Sequence, residues 1–406
     1  MALSSIQKEK ILQEINSGKV PIESIRNFIN RGEFTLEECI EHGLEDSKVE
    51  QINLLEVEEQ QEQKQFEEDA EFYAKINNDE IIIQEIQRAI TDGRVTDEGL
   101  LKNTIIDENL LHRIKSYSKE SHPSQHNDLD LKNGYTDIFF FGQSGSGKSC
   151  VLASLFNYGE KQGYLIDDPH SINGINYKNL LVRELRNGIL PDATIADVDA
   201  VTYITTELHK EDENGKMEIN PLNIIEMSGE FFSEAAKDPD VWENAIDAHG
   251  YLSNSNKKLL FFIVDYHQHT EDLYTHQATQ DQDFNLILSQ LDMYKKCLKN
   301  TYCVYIIVNK SDLFPDGVGD KNTYATEFFM ENYKGFYTNL KSKQEKNGFS
   351  LRSLHFSLGN FIFNNSYLTE MNQECPEQLI ESISKQSSRR KSKGWFNKMF
   401  ESSEEL

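Results

Sequence analysis

The sequence predicts a three-layer α/β domain with a mostly parallel sheet, preceded by an all-α region of short helices. Three observations support this fold class. After residue 135, short apolar runs alternate with segments of helical spacing, which is typical of a parallel sheet covered by helices. A glycine-rich loop stands between one such run and a helical segment. The first 120 residues have helical spacing, many acidic residues and few aromatic ones.

The glycine-rich loop follows the apolar run Ile138–Phe141, which reads as a buried strand. Gly142, Gly147, Lys148 and Ser149 match the pattern G-x-x-x-x-G-K-[ST]. Strand, loop and helix in this order predict the phosphate-binding loop of a P-loop NTPase, where backbone N–H groups and a helix N-terminus surround phosphate oxygens. Lys148 would reach the β- and γ-phosphates, and the Ser149 hydroxyl would bind Mg²⁺. The candidate nucleotide contacts are Gly142, Gln143, Ser144, Gly145, Ser146, Gly147, Lys148, Ser149 and Cys150.

Composition limits the partners and the compartment that we expect. The net charge of −27 argues against nucleic acid as a partner of the main body of the chain. No apolar run approaches the roughly 20 residues of a membrane span, and the N-terminus lacks the apolar core of a secretory signal. Five scattered cysteines, without a CxxC pair, fit a reduced compartment. We therefore expect a cytoplasmic protein.

Residues 1–120 read as short helical repeats in two clusters, 1–50 and 80–116, with a polar helix or linker between them. Such small helices bury little surface alone, so they pack on each other, on the nucleotide domain or on a partner. An interaction or oligomerisation role and a purely structural role both fit this pattern.

The helix boundaries in this region follow from capping chemistry. Gly18, Gly32 and Gly93 stand where a helix would end in a left-handed residue. Pro21 suits the first position of a helix, and Thr35 with Glu38 predicts a capping box.

A polar linker at 121–134 separates this region from the nucleotide domain, 135–384, and a tail follows at 385–406. Alternation and apolar runs predict strands, and an Asn-Gly hairpin loop at 209–217 predicts one antiparallel pair at an edge of the sheet. The predicted strands are 138–141, 201–208, 223–227, 259–265, 302–308 and 354–357. The predicted helices after the phosphate-binding loop lie at 230–251, 281–299, 323–346 and 376–386.

A second motif, Asn309-Lys310-Ser311-Asp312, follows a buried strand directly and matches N-K-x-D. A carboxylate there can accept two hydrogen bonds from the N1–H and exocyclic amine of guanine, which adenine does not offer. The motif is the guanine-recognition signature of Ras-like and translation-factor GTPases, which this domain resembles. The resemblance gives base recognition to Asp312. It implies that Asn309 braces the loop and contacts the base edge, and that the Lys310 stem lies along the base plane.

The same resemblance assigns further positions. The family has D-x-x-G where this chain has Glu226 and Gly229, so Glu226 is the implied metal carboxylate and Gly229 the implied γ-phosphate contact. Glu230 stands where Ras-like enzymes have a glutamine that orients water. Thr194 is the candidate switch threonine and second metal hydroxyl, and Thr202 is the alternative. Ser357 and Leu358 occupy the position of the S-A-K element and would contact the base.

Taken together, the chain resembles TRAFAC-class GTPases, especially the bacterial "double-GTPase" domains of conflict systems, in which glutamate follows the glycine and an insert comes next. The resemblance covers roughly 135–365. It implies a GTP/GDP-binding, Mg²⁺-dependent switch, for which Lys148, Thr194, Gly229 and Glu230 are the candidate catalytic residues. Because Glu230 replaces the family's glutamine by a carboxylate beside the γ-phosphate, we expect slow or partner-activated hydrolysis. Two alternatives stay open: a nucleotide-dependent scaffold with little hydrolysis, and an ATPase that uses Asp265 as its metal carboxylate.

The tail has a different character from the rest of the chain. Residues 385–400 are basic and aromatic, which suits an anionic membrane surface, a partner groove or an acidic patch on the chain itself. We expect a protein partner to bind through the helical N-terminal region or this tail, peripheral membrane contact through 385–400, or nucleotide-dependent self-association.

Overall fold

A computed structural model describes residues 5–41, 43–117, 132–191, 201–212, 214–227, 250, 252–267, 276–293 and 295–388. The chain divides into two compact units. The first comprises Met1–Ile81 with Glu85–His112, and the second Ile82–Gln84 with Arg113–Leu406. The predicted fold class is confirmed: an all-α N-terminal region precedes an α/β domain with a mostly parallel sheet.

The N-terminal region is helical throughout its described part. A long polar helix connects two sets of short helices, and it includes the glutamate- and glutamine-rich stretch. The helices are α1 (Ser5–Asn16), α2 (Ile22–Asn30), α3 (Leu36–Glu41), α4 (Asp46–Asn77), α5 (Ile83–Thr91), α6 (Asp97–Asn103) and α7 (Glu108–Ser116).

The capping predictions are confirmed, with one correction. Gly18, Gly32 and Gly93 all have φ between 69° and 74°. The backbone N–H of Thr35 donates to a Glu38 carboxylate oxygen and the Glu38 N–H donates to the Thr35 hydroxyl, both at 3.1 Å. Pro21 is the residue before the first position of α2 rather than that first position, because its ψ of 149° is still extended.

The second unit is built on a sheet in which, among the described residues, seven strands follow the order β2-β3-β4-β1-β5-β6-β7. Strand β3 runs antiparallel to both neighbours, and the remaining pairs are parallel. The hairpin therefore forms the predicted antiparallel pair, but β2 forms the edge beyond it. The strands are β1 (Thr136–Phe141), β2 (Leu165–Asp167), β3 (Val201–Glu211), β4 (Met217–Met227), β5 (Lys257–Asp265), β6 (Thr301–Asn309) and β7 (Ser350–Phe356).

Helices cover both faces of this sheet and make the three layers. One face carries α8, α9 and α14, and the other carries α10 to α13, each against alternate side chains of the central strands. These helices are α8 (Lys148–Lys161), α9 (Ile172–Arg186), α10 (His276–Met293), α11 (Lys295–Asn300), α12 (Lys321–Asn332), α13 (Lys334–Asn347) and α14 (Glu374–Ser388).

Three features differ from the sequence prediction. The segment 323–346 is two helices because the buried Tyr333, stacked on Phe329, leaves helical geometry at φ −118° and ψ 46°. The segment 281–299 likewise belongs to two helices, α10 and α11. Helix α9, strand β2 and a small hairpin of β8 (Gly359–Ile362) and β9 (Tyr367–Met371) were not predicted.

The remaining predicted helix, 230–251, lies almost entirely outside the described residues, as do most of the linker 121–134 and the basic part of the tail. Within the part of the chain that the structure describes, no helix is both long and apolar enough to cross a membrane.

Candidate nucleotide-binding site

A cavity of about 440 Å³ opens at the carboxyl ends of the central strands. In open α/β sheets this edge holds the ligand, at the strand where the chain order reverses, which here is β1 between β4 and β5. The cavity is lined by Ser144, Gly145, Gly147, Lys148, Ser149, Cys150, Leu190, Pro191, His267, Asn309, Lys310, Asp312, Leu313, Leu358, Phe361, Asn364 and Asn365.

The phosphate-binding loop leads from β1 into α8. The buried Lys148 ammonium donates to the carbonyl oxygens of Gly142 and Gln143 at 2.8 and 3.0 Å, so the loop curves around its own lysine. Gly147 has φ 88°, and a Cβ built there would lie 2.2 Å from the Asn309 amide nitrogen. A larger residue would therefore strain the backbone and displace Asn309.

Asn309 connects this loop to the second motif. Its amide donates to the Ser146 carbonyl oxygen at 2.9 Å, which is the bracing role that the family resemblance implied. Gly142 and Ser146 do not line the cavity, and the Ser146 backbone N–H donates to the Gln143 carbonyl oxygen at 3.2 Å. Gln143 also faces away from the cavity, because its amide donates to Asp283 at 2.8 Å.

Glu226, at the end of β4, has no exposed surface and accepts two short hydrogen bonds. Ser149 Oγ donates to one carboxylate oxygen at 2.6 Å and Tyr177 Oη to the other at 2.6 Å. This arrangement brings together the serine and the carboxylate that sequence reasoning assigned to the metal. Tyr177, on α9, was not predicted, because a tyrosine on an unpredicted helix gives no sequence signal for a site.

These oxygens fit Mg²⁺. The ion prefers hard oxygen ligands, keeps several waters, and is commonly held by one or two protein oxygens together with substrate phosphates. Ser149 and Glu226 supply that number beside the phosphate-binding loop. No cluster of three or more His, Cys, Asp or Glu side chains suited to a metal occurs among the described residues.

Asp265 ends β5 beside the second motif and is fully buried. It accepts from the Lys310 ammonium at 2.8 Å and from the His267 backbone N–H at 3.0 Å. Lys310 itself has the left-handed φ of 62°. Asp265 thus holds the lysine of the N-K-x-D motif, whereas the hydroxyl of Ser149 bonds to Glu226.

Asp312 is exposed in the cavity and accepts from the Ser357 hydroxyl at 3.0 Å. The first motif residue after Lys310, Ser311, is buried and bonds through its hydroxyl to His355 Nδ1 at 2.9 Å. His355 and Ser357, at the end of β7 and directly after it, therefore hold both sides of the N-K-x-D loop, residues 309–312. His355 was not predicted, although it stands two residues before Ser357.

Burial lowers the pKa of His355 below its usual 6.5, and the nearby Lys321 ammonium lowers it further. Glu374 and Asp320 act in the opposite direction. The imidazole is therefore neutral near pH 7, where its Nδ1 can share a proton with the Ser311 hydroxyl.

Of the other predicted residues, Ser144, Gly145, Cys150 and Leu358 line the cavity. Thr194, Gly229 and Glu230 lie outside the described residues, and the alternative threonine, Thr202, lies in β3. The lining residues that sequence reasoning missed are Leu190, Pro191, His267, Leu313, Phe361, Asn364 and Asn365. The Asn-Asn pair is a turn signal that could have located a hairpin, but not its position against the site.

No family model matches the sequence, and no curated protein does. Among solved structures, nucleolar GTP-binding protein 1 from Plasmodium falciparum is 13% identical with a TM-score of 0.30, over 63% of this chain and 88% of its own. The GTP-bound Ski7 GTPase-like domain of S. cerevisiae is 15% identical with a TM-score of 0.30, over 64% of this chain and 51% of its own. The GDP-bound signal recognition particle receptor SRb from Chaetomium thermophilum is 14% identical with a TM-score of 0.30, over 63% of this chain and its full length.

The match spans about half the length of the Ski7 structure. These identities and TM-scores are too low to assign a function to this chain.

Proposed function

We propose that the chain is a GTP-binding protein that hydrolyses GTP slowly and acts as a nucleotide-dependent switch for a protein partner. The observation that carries this proposal is that one cavity is lined both by Lys148 and Ser149 and by Asp312. The first two suit phosphates, and a carboxylate held at the rim suits the hydrogen-bond donors of guanine.

The choice of guanine depends on Asp312. Its carboxylate is exposed in the cavity and oriented by Ser357, so it can accept from both N1–H and the exocyclic amine of the base. The ATPase alternative needs Asp265 beside the metal. Asp265 forms an ion pair with Lys310, and the Ser149 hydroxyl donates to Glu226 rather than to Asp265. Both contacts support the guanine assignment.

Ser149 and Glu226 would hold Mg²⁺ together with Thr194 and the nucleotide phosphates. When bound, the ion would supply positive charge that offsets the charge of the phosphates. Lys148 adds a cation at the same oxygens, and Gly229 would donate its backbone N–H to the γ-phosphate.

Slow turnover is expected because Glu230 stands, in the sequence, where Ras-like enzymes have a neutral water-orienting glutamine, and its carboxylate would lie beside the γ-phosphate. Repulsion between the two negative charges disfavours that geometry. We therefore expect activation by a partner, and intrinsic rates well below the roughly 10 per second typical of enzymes.

The switch would act through the loops around Thr194 and Gly229, which γ-phosphate contacts hold and hydrolysis releases. The helical N-terminal region or the basic tail would sense this change, in the cytoplasm or at an anionic membrane reached through 385–400. Exposed apolar side chains on α4, at Leu54, Val57 and Phe66, support a partner or self-association there. The bacterial conflict-system setting is proposed from the family resemblance.

Nucleotide titration of the purified chain tests base selection. We expect the chain to bind GTP and GDP and not to bind ATP. In Asp312→Asn, the two charged hydrogen bonds to guanine are lost, so GDP affinity should fall by about 100-fold. Xanthine carries a carbonyl where guanine carries its amine, so the amide should improve binding of xanthosine diphosphate. Asp316→Asn, an exposed aspartate outside the cavity, is the matched control.

Single-turnover hydrolysis separates the switch from the scaffold alternative. Lys148→Ala should abolish the slow hydrolysis that the wild type shows. Equal turnover in the two proteins would show that the measured activity does not come from this site, and the enzymatic part of the proposal would then be withdrawn.

A further inference from the structure

The β8–β9 hairpin (Gly359–Met371) follows directly after the Ser357-Leu358 element and forms one wall of the cavity. Phe361, Asn364 and Asn365 from this hairpin line the same space as the phosphate-binding loop and Asp312. The Asn372 backbone N–H donates to the Leu358 carbonyl oxygen at 2.8 Å. This bond connects the end of the hairpin to the Ser357-Leu358 element.

The tip of the hairpin has an unusual backbone. Phe363, Asn364 and Asn365 have consecutive φ values of 57°, 50° and 58°. Asparagine tolerates this left-handed region, but phenylalanine does so at a cost. Phe363 is held there because its ring is fully buried, 6.3 Å from the ring of Tyr367. The result is a fixed turn that places two adjacent, exposed asparagine residues at the cavity.

The part of a nucleotide that the residues already assigned do not contact indicates what these amides bind. Lys148 and Ser149 suit the phosphates, while Asp312 and Leu358 suit the base. The ribose hydroxyls each need an acceptor and a donor, and an asparagine amide offers both.

The other side of the hairpin is joined to the segment that leads toward Thr194. The Leu368 N–H donates to the Gly188 carbonyl oxygen at 2.9 Å, and Ile189 forms a β-bridge with Tyr367. A Cβ at Gly188 would lie 2.6 Å from carbon atoms of the Tyr367 ring, so this contact leaves no space. Leu190 and Pro191 then line the cavity.

We propose that the β8–β9 hairpin is a ribose-binding element: the amides of Asn364 and Asn365 bind the ribose hydroxyls of the nucleotide, and the hairpin thereby ties site occupancy to segment 188–191. The inference rests on the proposed nucleotide-binding function and adds to it the ribose contact and a route to the switch segment.

The test uses the full chain with both asparagines replaced by glycine, N364G/N365G, since glycine keeps the left-handed turn while removing the amides. Asn360→Ala is the matched control, because Asn360 is exposed on the same hairpin and does not line the cavity. Affinities for GDP and 2′-deoxy-GDP are measured for all three proteins, with circular dichroism to verify folding.

We expect the wild type and Asn360→Ala to prefer GDP over 2′-deoxy-GDP. The double variant should bind GDP about tenfold more weakly and lose this preference, consistent with the loss of one or two neutral hydrogen bonds. An equal loss for both nucleotides would overturn the ribose assignment, and so would unchanged binding.

Hydrogen exchange tests the connection to the switch segment. GDP should slow exchange of the amides at 188–190 in the wild type and have less effect in the double variant. If GDP binds but leaves these amides unchanged, the proposed tie is wrong.

Failure of the proposed function gives a different pattern. If adenine nucleotides bind instead of guanine nucleotides, the same comparison is made with ATP and 2′-deoxy-ATP, because the ribose is common to both. A ribose preference that the double variant loses would then support the hairpin while the guanine assignment falls. Absence of binding by any nucleotide would overturn both.

Discussion

Glu226 depends on neighbours from two separate parts of the chain. A fully buried carboxylate is costly unless it is hydrogen-bonded, and both of its oxygens accept a hydroxyl at 2.6 Å. The donors are Ser149 at the phosphate-binding loop and Tyr177 on α9. Tyr177 does not line the cavity, so its contribution is to position the carboxylate.

Tyr177→Phe keeps the ring and removes the donor to Glu226. We expect the free energy of unfolding to fall by about 1–3 kcal/mol, since a buried acceptor loses its partner. The Mg²⁺ concentration that supports half-maximal GTP binding should also change, because the carboxylate can rotate. Denaturant unfolding and GTP titration at several Mg²⁺ concentrations measure the two effects.

Tyr203→Phe is the control for this prediction. Tyr203 is buried too, but its hydroxyl donates to Asn223 rather than to Glu226. This variant should lose stability without changing the Mg²⁺ dependence. The same Mg²⁺ response in both variants would argue against a positioning role for Tyr177.

His355 should make the stability of the N-K-x-D loop, residues 309–312, sensitive to pH. Its pKa lies below 6.5 in the folded chain, mainly through burial, while the unfolded chain titrates near 6.5. Between these two values the unfolded chain binds more protons, so stability rises with pH there and is lost as pH falls below about 6.5. The slope is at most about 1.4 kcal/mol per pH unit for one group.

GDP affinity should fall at the lower end of this range, where the folded chain itself binds the proton, because a protonated Nδ1 can only donate and can no longer accept from the Ser311 hydroxyl. The sulfur of the buried Cys375 lies 3.8 Å from the same nitrogen. It cannot supply a negative charge to the protonated imidazole, because burial raises the pKa of Cys375 and it stays a thiol. In titrations between pH 5 and 8, the GDP affinity of the His355→Asn variant should not show this dependence on pH. His112→Asn, at an exposed position of α7, should keep it.

At the scale of the helices and strands, two asparagine residues of the first unit make the same pair of hydrogen bonds. The Asn16 amide donates to the Gly43 carbonyl oxygen at 2.7 Å, and its oxygen accepts from the Glu45 N–H at 3.3 Å. The Asn77 side chain makes the same pair of bonds with Asn103 and Ile105. Asn16, at the end of α1, thereby closes the segment that contains α2 and α3, and Asn77, at the end of α4, closes the segment that contains α5 and α6.

Replacing either asparagine by alanine should therefore destabilise its own segment by about 1 kcal/mol, the usual net contribution of an intramolecular hydrogen bond. Hydrogen exchange should show faster exchange in α2 for Asn16→Ala and in α5 for Asn77→Ala. Asn109→Ala, at an exposed position of α7, should alter neither. Equal acceleration of α2 and α5 by both variants would contradict two independent segments.

For the whole molecule, nucleotide binding should appear as stabilisation and as protection of one thiol. Cys150 lines the cavity and is only partly buried, whereas the other four cysteines are buried. At a GDP concentration of 100 times Kd, the folded chain gains about 2.7 kcal/mol, and the fraction of empty sites falls to about 1%.

Alkylation of Cys150 should consequently slow by up to about 100-fold with GDP, while ATP at the same concentration leaves the rate unchanged. Mass spectrometry after timed treatment with iodoacetamide gives the rate at each cysteine. A rate at Cys150 that GDP does not change would contradict binding in this cavity.

The success of the sequence predictions varied with the kind of interaction that produces each feature. Strand β5 was predicted because all of its central residues are apolar, and the Thr35–Glu38 capping box because both partners are close in sequence. The break at Tyr333 was missed, since it depends on burial of one ring against Phe329. The contacts of Tyr177 and of the β8–β9 hairpin join segments far apart in sequence, and no local pattern records them.

The sequence by itself determined the α/β fold class and the positions of the glycine-rich loop and the N-K-x-D motif. These features depend on short segments in which residue type, spacing and backbone conformation are directly linked. Only the tertiary structure decided that Ser149 bonds to Glu226, that Asp265 pairs with Lys310, and that Asn364 and Asn365 complete the cavity. The physical reason is that the register and packing of parallel strands bring the loops at their ends together, and both arise from the burial of the whole core.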